Sequence, residues 1–280
     1  MNIAPGFRAS TAQATQPVGS GWAQRRAALA SVRVRAAGGV GTAAASTLLM
    51  LGALVLAPAA AAAGVLQPLA GSGATPPAPW RVVGLPSQKK PFTRFSLVDV
   101  DGKRALRVEA VESYGNLVHP LGPDVTARKL SWRWRADQLN TAVDLRERAG
   151  DDTTLKVCAL FDLPLDKVPF VERTLLRSAR SGSSDLIPSA SVCYVWDANL
   201  AVGTRLDSAF TRRVRYIVLR SGTGAEPQWA SEKRDVAADF KQLFGNESAE
   251  VPPLIGIAVG ADSDNTKARS LGHVADIELE

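Results

Sequence analysis

Histidine and cysteine are scarce in this 280-residue chain, which has two of each. His119 and His273 stand in no metal-ligand spacing, and two cysteines lack the count and pattern of a structural zinc site. No G-x-S-x-G, H-E-x-x-H, Walker or G-x-G-x-x-G motif occurs. Serine-histidine, zinc and nucleotide-dependent enzymes therefore lack their customary residues here. Any catalysis must rest on carboxylates, with Tyr, Lys or Arg as helpers.

Acidic residues are missing altogether from residues 1–63, which hold Arg8, Arg25, Arg26, Arg33 and Arg35. Removing those five from the 33 basic residues leaves 28 against 27 acidic ones, so the net charge of +6 belongs mostly to this segment. A basic surface for nucleic acid is not expected. After Arg35 no charge appears until Arg81, and within that gap lies the apolar run Leu48–Leu56 followed by alanine. A basic region, a short apolar core and A-x-A sites at Ala57–Ala59 and Ala61–Ala63 read as a secretory signal. The alternative is an uncleaved anchor, with alanine flanks extending the core toward the about 20 residues that a spanning helix needs. Only such a leader would touch a membrane. The long basic region fits an over-extended start, with Val32 or Val34 as the true initiator. Arg25-Arg26 fits a twin-arginine signal poorly. Residues 64–79, without charge and rich in Gly, Pro and Ala, read as a linker. The expected organisation is a leader over 1–63, a linker over 64–79 and one domain over 80–280, in a periplasmic or secreted protein.

That domain reads as all-β. Apolar or alternating β-rich runs occupy Phe95–Val100, Ala105–Val111, Lys129–Ala136, Leu155–Phe161, Ser191–Trp196, Arg215–Arg220, Leu254–Ala261 and Val274–Leu279. Turn-forming residues separate many of them. Short strands at such spacing predict a β-sandwich or jelly roll. Two stretches have helical period instead. Lys167–Ala179 places Val171, Leu175 and Ala179 four apart, which predicts a short inserted amphipathic helix. Ser231–Phe244 gathers Val236, Phe240, Leu243 and Phe244 on one face before Gly245.

In Lys129–Ala136 side chains alternate, so Leu130, Trp132 and Trp134 share one face and Arg133 and Arg135 the other. Tryptophans in the core, with the arginines solvated or ion-paired, is the economical reading. Tryptophans on an open sugar-stacking face would bury two guanidiniums, at a cost of several kcal/mol. If this sheet face binds anything, Arg133 and Arg135 point into it.

Carboxylates cluster at Asp151-Asp152, at Asp262, Asp264 and Asn265, and at Glu232, Asp235 and Asp239 around Arg234. Asp262, Asp264, Asn265 and Thr266 at a strand end can offer the hard oxygens calcium prefers. The run lacks the EF-hand glycine and distal glutamate, and Asx-turns or salt bridges to arginines on adjacent strands are the plainer readings of it. The candidate ligand-binding residues are Arg133, Arg135, Asp151, Asp152, Arg234, Asp262, Asp264 and Asn265. Asp262 and Asp264 are the candidate calcium ligands, and no other cofactor is expected. Arg133 and Arg135 are expected to share one polar region with the acids of 262–265.

The ordered motifs LSWRWRAD, Asp151-Asp152, CALFD, CYVWD, WASEKRDVAADFKQLFG and IGIAVGADSDNT resemble domain-of-unknown-function family 3047 of exported bacterial proteins, over nearly all of Trp80–Glu280. A fainter resemblance runs to galactose-binding-like jelly rolls, where a Trp precedes an acid-Phe pair, here Trp229 and Asp239-Phe240, and an Ile-Gly-Ile strand follows. This resemblance implies a β-sandwich with a concave face, not galactose as the ligand.

Cys158 and Cys193 each lie in a β-rich run. Were the more apolar faces of both runs to look into the core, both thiols would point outward on the same side. Pairing in an oxidising compartment and two free, buried thiols are both open. The leading functional expectation is a non-catalytic binder of a polar ligand such as a glycan. A carboxylate-based polysaccharide hydrolase or lyase and a structural envelope protein are the alternatives.

Overall fold

The computed structural model describes residues 65–126, 128–222 and 227–280. The leader, with its apolar core and alanine sites, lies outside the described residues. Among those described, no helix is long and apolar enough to cross a membrane.

Two sheets form a β-sandwich. The seven-stranded sheet runs β1 (Arg81–Val83), β4 (Tyr114–Pro120), β11 (Leu254–Asp262), β6 (Leu155–Phe161), β7 (Ala190–Asp197), β9 (Val214–Ser221) and β8 (Arg205–Asp207). The five-stranded sheet runs β10 (Ala230–Asp235), β5 (Lys129–Gln138), β12 (Arg269–Leu279), β3 (Lys103–Val111) and β2 (Arg94–Val100). Within these sheets only β7 and β9 pair in parallel; the other pairs are antiparallel.

Alternation along β5 fills the space between the sheets. Trp132 and Trp134 are buried there and meet edge to face. Trp132 also packs on Tyr194, and Trp134 on Trp196. Four large aromatics at ring separations of 5.2–5.6 Å make this the centre of the core. The helix α2 (Val236–Phe244) closes one end. Asp235 caps it through the N–H groups of Ala237 and Ala238, and Phe240 stacks between Phe161 and Phe244.

Three local readings change. The helix expected over Ser231–Phe244 begins only at Val236, because residues 230–235 pair with β5 as an edge strand. In the inserted helix α1 (Phe170–Ser181), Leu176 is the buried residue, while Val171 and Leu175 are 68% and 66% exposed. The four-residue stripe that reads as a core face thus looks into solvent. The segment that reads as a linker packs down at two leucines, Leu66 and Leu69, which join the core. Its Gln67 N–H donates to His119 Nε2, and Trp80 Nε1 donates to the Gln67 carbonyl. Burial lowers the His119 pKa, which suits an imidazole that accepts a hydrogen bond.

Candidate functional site

The outer face of the seven-stranded sheet follows from register. Val118, Ala258, Cys158, Cys193 and Tyr216 lie in one row across five strands. A disulfide joins Cys158 to Cys193, with Cα atoms 4.1 Å apart. The neighbouring row holds Asn116, Gly260, Lys156 and Val195. Gly260 suits this position, because a Cβ would come within 2.9 Å of the Gly115 carbonyl oxygen as well as against the Asn116 side chain.

At one end of this face the structure gathers Asp151, Asp152, Asp262 and Asn265, with Asp264 beside them. Asp151 accepts from Tyr216 (3.0 Å) and Ser208 (2.5 Å). One oxygen of Asp152 accepts from the backbone and side chain of Asn265, at 3.2 and 3.1 Å. The other accepts from Thr266 N and Oγ1, at 2.7 and 2.6 Å. Asp262 accepts from Thr153 N through one oxygen and from Lys156 Nζ through the other, at 2.7 and 2.9 Å. All six oxygens of these three buried carboxylates are therefore engaged by protein donors.

One ammonium serves several acids here. Burial opposes the Lys156 charge, but Asp262, Tyr114 and Asp151 outweigh it and hold the pKa above its ordinary value. Burial raises the Asp262 carboxyl, with Lys156 pulling back. Burial also raises the hydroxyl of Tyr216, reinforced by Asp151, and that of Tyr114. The network fastens the loop before β6 to the ends of β9 and β11 by buried, charge-assisted bonds.

This arrangement leaves little for a cation. Calcium needs six to eight open oxygens, whereas N–H and O–H donors occupy those of Asp262. Asp264 holds Lys90 at 2.6 Å through one oxygen, and its other is hidden from solvent without a partner. Among the described residues no group of three or more His, Cys, Asp or Glu could hold a metal ion.

The arginines lie elsewhere. Arg133 and Arg135 project from β5 onto the outer face of the five-stranded sheet, and the structure does not join them to the acids of 262–265. Arg135 pairs with Asp101 and Asp137, and Arg133 lies 3.8 Å from Asp276. Across three strands Arg135, His273 and Arg107 form a row, with His273 bonded to Asp137 at 2.7 Å. The half-buried ring of Trp229, just before β10, lies over both guanidiniums, 5.6 Å from Arg133 and 6.0 Å from Arg135. Arg133 Nε, Arg135 Nε and Trp229 Nε1 are each hidden from solvent and without a hydrogen-bond partner. An orphaned buried donor costs about 1–3 kcal/mol, so this patch is under-satisfied, whereas the carboxylates of Asp151, Asp152 and Asp262 are not.

Arg234 belongs to neither group. It grips Asp239 through two nitrogens, at 3.0 and 2.6 Å, and Asp239 accepts from Tyr194 at 2.7 Å.

Sequence reasoning did not single out Lys156, Tyr216 or Tyr114 for the acid network. Lys156 hides in an apolar run and Tyr114 in a strand broken by glycine, asparagine and proline. Trp229 carried a signal through its place in the motif, though not a role beside the arginines.

The chain is similar to several solved structures. One is TmCBM61 in complex with beta-1,4-galactotriose, at 12% identity, covering 72% of this chain and 88% of that one, with a TM-score of 0.32. Another is the xyloglucanase domain of NopAA, a type three effector from Sinorhizobium fredii, in complex with cellobiose, at 9% identity, 72% and 98% coverage and a TM-score of 0.37. A third is the K1 cleaved adhesin domain of Lys-gingipain from Porphyromonas gingivalis W83, at 11% identity, 73% and 91% coverage and a TM-score of 0.29. The bound sugars are those proteins' own. No curated protein matches the sequence. The family model described as Protein of unknown function (DUF3047) matches residues 78–278, and the chain belongs to that family.

Proposed function

We propose that this is an exported, non-catalytic binder of a polar ligand, a glycan, received on the outer face of the five-stranded sheet around Trp229, Arg133 and Arg135. The observation that carries the reading is the partly exposed indole of Trp229 set over two guanidiniums on this sheet face. A sugar ring offers an apolar face to the indole and oxygen acceptors to the part-exposed Arg133 guanidinium. Asp101, Asp137 and His273 add acceptors and donors at the margin.

A hydrolase needs two carboxyl groups about 5–9 Å apart with room for a sugar between them. Asp151, Asp152 and Asp262 are buried and spent on protein donors, which favours a binder over that alternative. Export rests on the leader's basic region, apolar core and alanine sites.

The test is a glycan array probed with the protein and with Trp229→Ala. Signals that vanish in the variant support the reading. A profile identical for both proteins contradicts it.

A further inference from the structure

The inserted helix α1 turns large apolar side chains to solvent. Phe170, Val171 and Leu175 are 74%, 68% and 66% exposed. Val171 and Leu175 are four apart and stack in one column on the helix surface, with Phe170 beside them. Three neighbouring large apolar groups exposed to this degree serve no packing purpose within the domain.

Cations without acids flank them. Arg173 and Arg177 form a second column, again four apart, and the Arg173 guanidinium lies over the Phe170 ring at 5.9 Å. The helix's own acid, Glu172, is turned inward onto Arg213 at 2.8 Å. Glu172 also accepts from the Arg212 backbone N–H, which brings the 208–213 loop to the helix. That loop carries Phe210, 53% exposed, with the Arg148 guanidinium 5.6 Å over its ring. Among the described residues, Arg148, Arg173 and Arg177 have no carboxylate within ion-pair distance, although most arginines of the domain do.

We infer that α1, with its exposed apolar column and unpaired arginines, docks the domain on an anionic lipid surface, independently of the leader. The chemistry is that of an interfacial helix. Apolar side chains enter the boundary between headgroups and acyl chains, while arginines beside them reach the phosphates. The charge argues for lipid over a second copy of this face, because two such faces would oppose arginine to arginine. A helix of 12 residues is too short to span and long enough to lie in the interface.

The experiment is vesicle co-sedimentation of the full chain. It uses vesicles of phosphatidylcholine alone and of phosphatidylcholine with phosphatidylglycerol. Any contribution of the leader is common to all variants, so the comparison isolates α1. Wild type should partition onto the anionic vesicles and release as salt rises toward 1 M, where the screening length falls to about 3 Å. Arg173→Gln and Arg177→Gln should each lower partitioning about fivefold. Phe170→Ser with Leu175→Ser should lower it by at least about tenfold. The exposed sites leave the unfolding midpoint unchanged, and glycan binding on the outer face of the five-stranded sheet persists. Equal partitioning of wild type and the double serine variant overturns the inference. So does self-association in solution that the serine variant abolishes, which would make the occupant a second copy.

Discussion

Cys158 lies directly opposite Cys193 across the β6–β7 ladder, and the bond between them sits on the outer face of the seven-stranded sheet. The alternation of Val157, Ala159 and Phe161 against Val192, Tyr194 and Trp196 puts both sulfurs on that side. The bridge closes a loop of 35 residues containing α1. In the chain-entropy model such a loop contributes about 3–4 kcal/mol. Thiol counting on unfolded, unreduced protein should give no free thiol. The Cys158→Ser, Cys193→Ser double variant should lose about 3–4 kcal/mol in urea unfolding. Two free thiols would contradict the bridge.

Among the described residues Lys156 is the only cation bonded to Asp262, and both are buried. Lys156→Met should cost about 3–5 kcal/mol, since it strands a carboxylate that protein donors only partly compensate. Adding Asp262→Asn should recover part of that loss, because the uncompensated charge goes with it. Urea unfolding of the four proteins in the cycle measures the coupling. A loss below about 1 kcal/mol for Lys156→Met would be the value of a surface pair and would contradict a buried one.

All three tyrosines of the chain, Tyr114, Tyr194 and Tyr216, have hydroxyl pKa values raised by burial, and Lys156 is also held above its ordinary value. The folded protein therefore keeps protons that the unfolded chain releases from about pH 10 upward. Stability is unaffected by these groups below that range and falls as pH rises through it. Ultraviolet titration should show tyrosinate appearing together with loss of the fold. Three tyrosines ionising reversibly near pH 10 in folded protein would contradict this.

Glu247 answers two buried arginines, Arg213 and Arg215, and Arg215 also lies over the Phe244 ring at 4.0 Å. Glu247→Ala should destabilise by about 2–3 kcal/mol, because it removes the carboxylate that the two guanidiniums share and leaves Arg213 to Glu172 and Arg215 to Asp207. Thermal unfolding checks this, and an unchanged midpoint contradicts it.

The strands that the sequence made legible are those with a buried apolar face, and β6 is readable to its ends. The four that escaped have physical reasons. β1 and β8 are three residues long. β4 carries Gly115, Asn116 and Pro120 and draws its register from β11. β10 is a polar edge strand whose hydrogen bonds to β5, and not its own residues, make it a strand. In α1 the periodicity was legible and its direction was not, because a four-residue apolar repeat does not state whether a core or a partner lies opposite. The acids of 151–152 and 262–265 could be seen as polar clusters, yet their convergence depends on β11 pairing with β6. The opposite placement of Arg133 and Arg135 follows from β5 lying in the other sheet.

The central claim is that Trp229, Arg133 and Arg135 form the ligand face and that the acid network does not. Titration calorimetry with a glycan selected on the array separates the two. Trp229→Ala should weaken binding about 10- to 100-fold, the range of an aromatic anchor at an interface. Asp264→Asn, beside the acid network, should bind as wild type does. The reverse pattern, with binding intact in Trp229→Ala and lost in Asp264→Asn, would contradict the account and move the site to the other sheet.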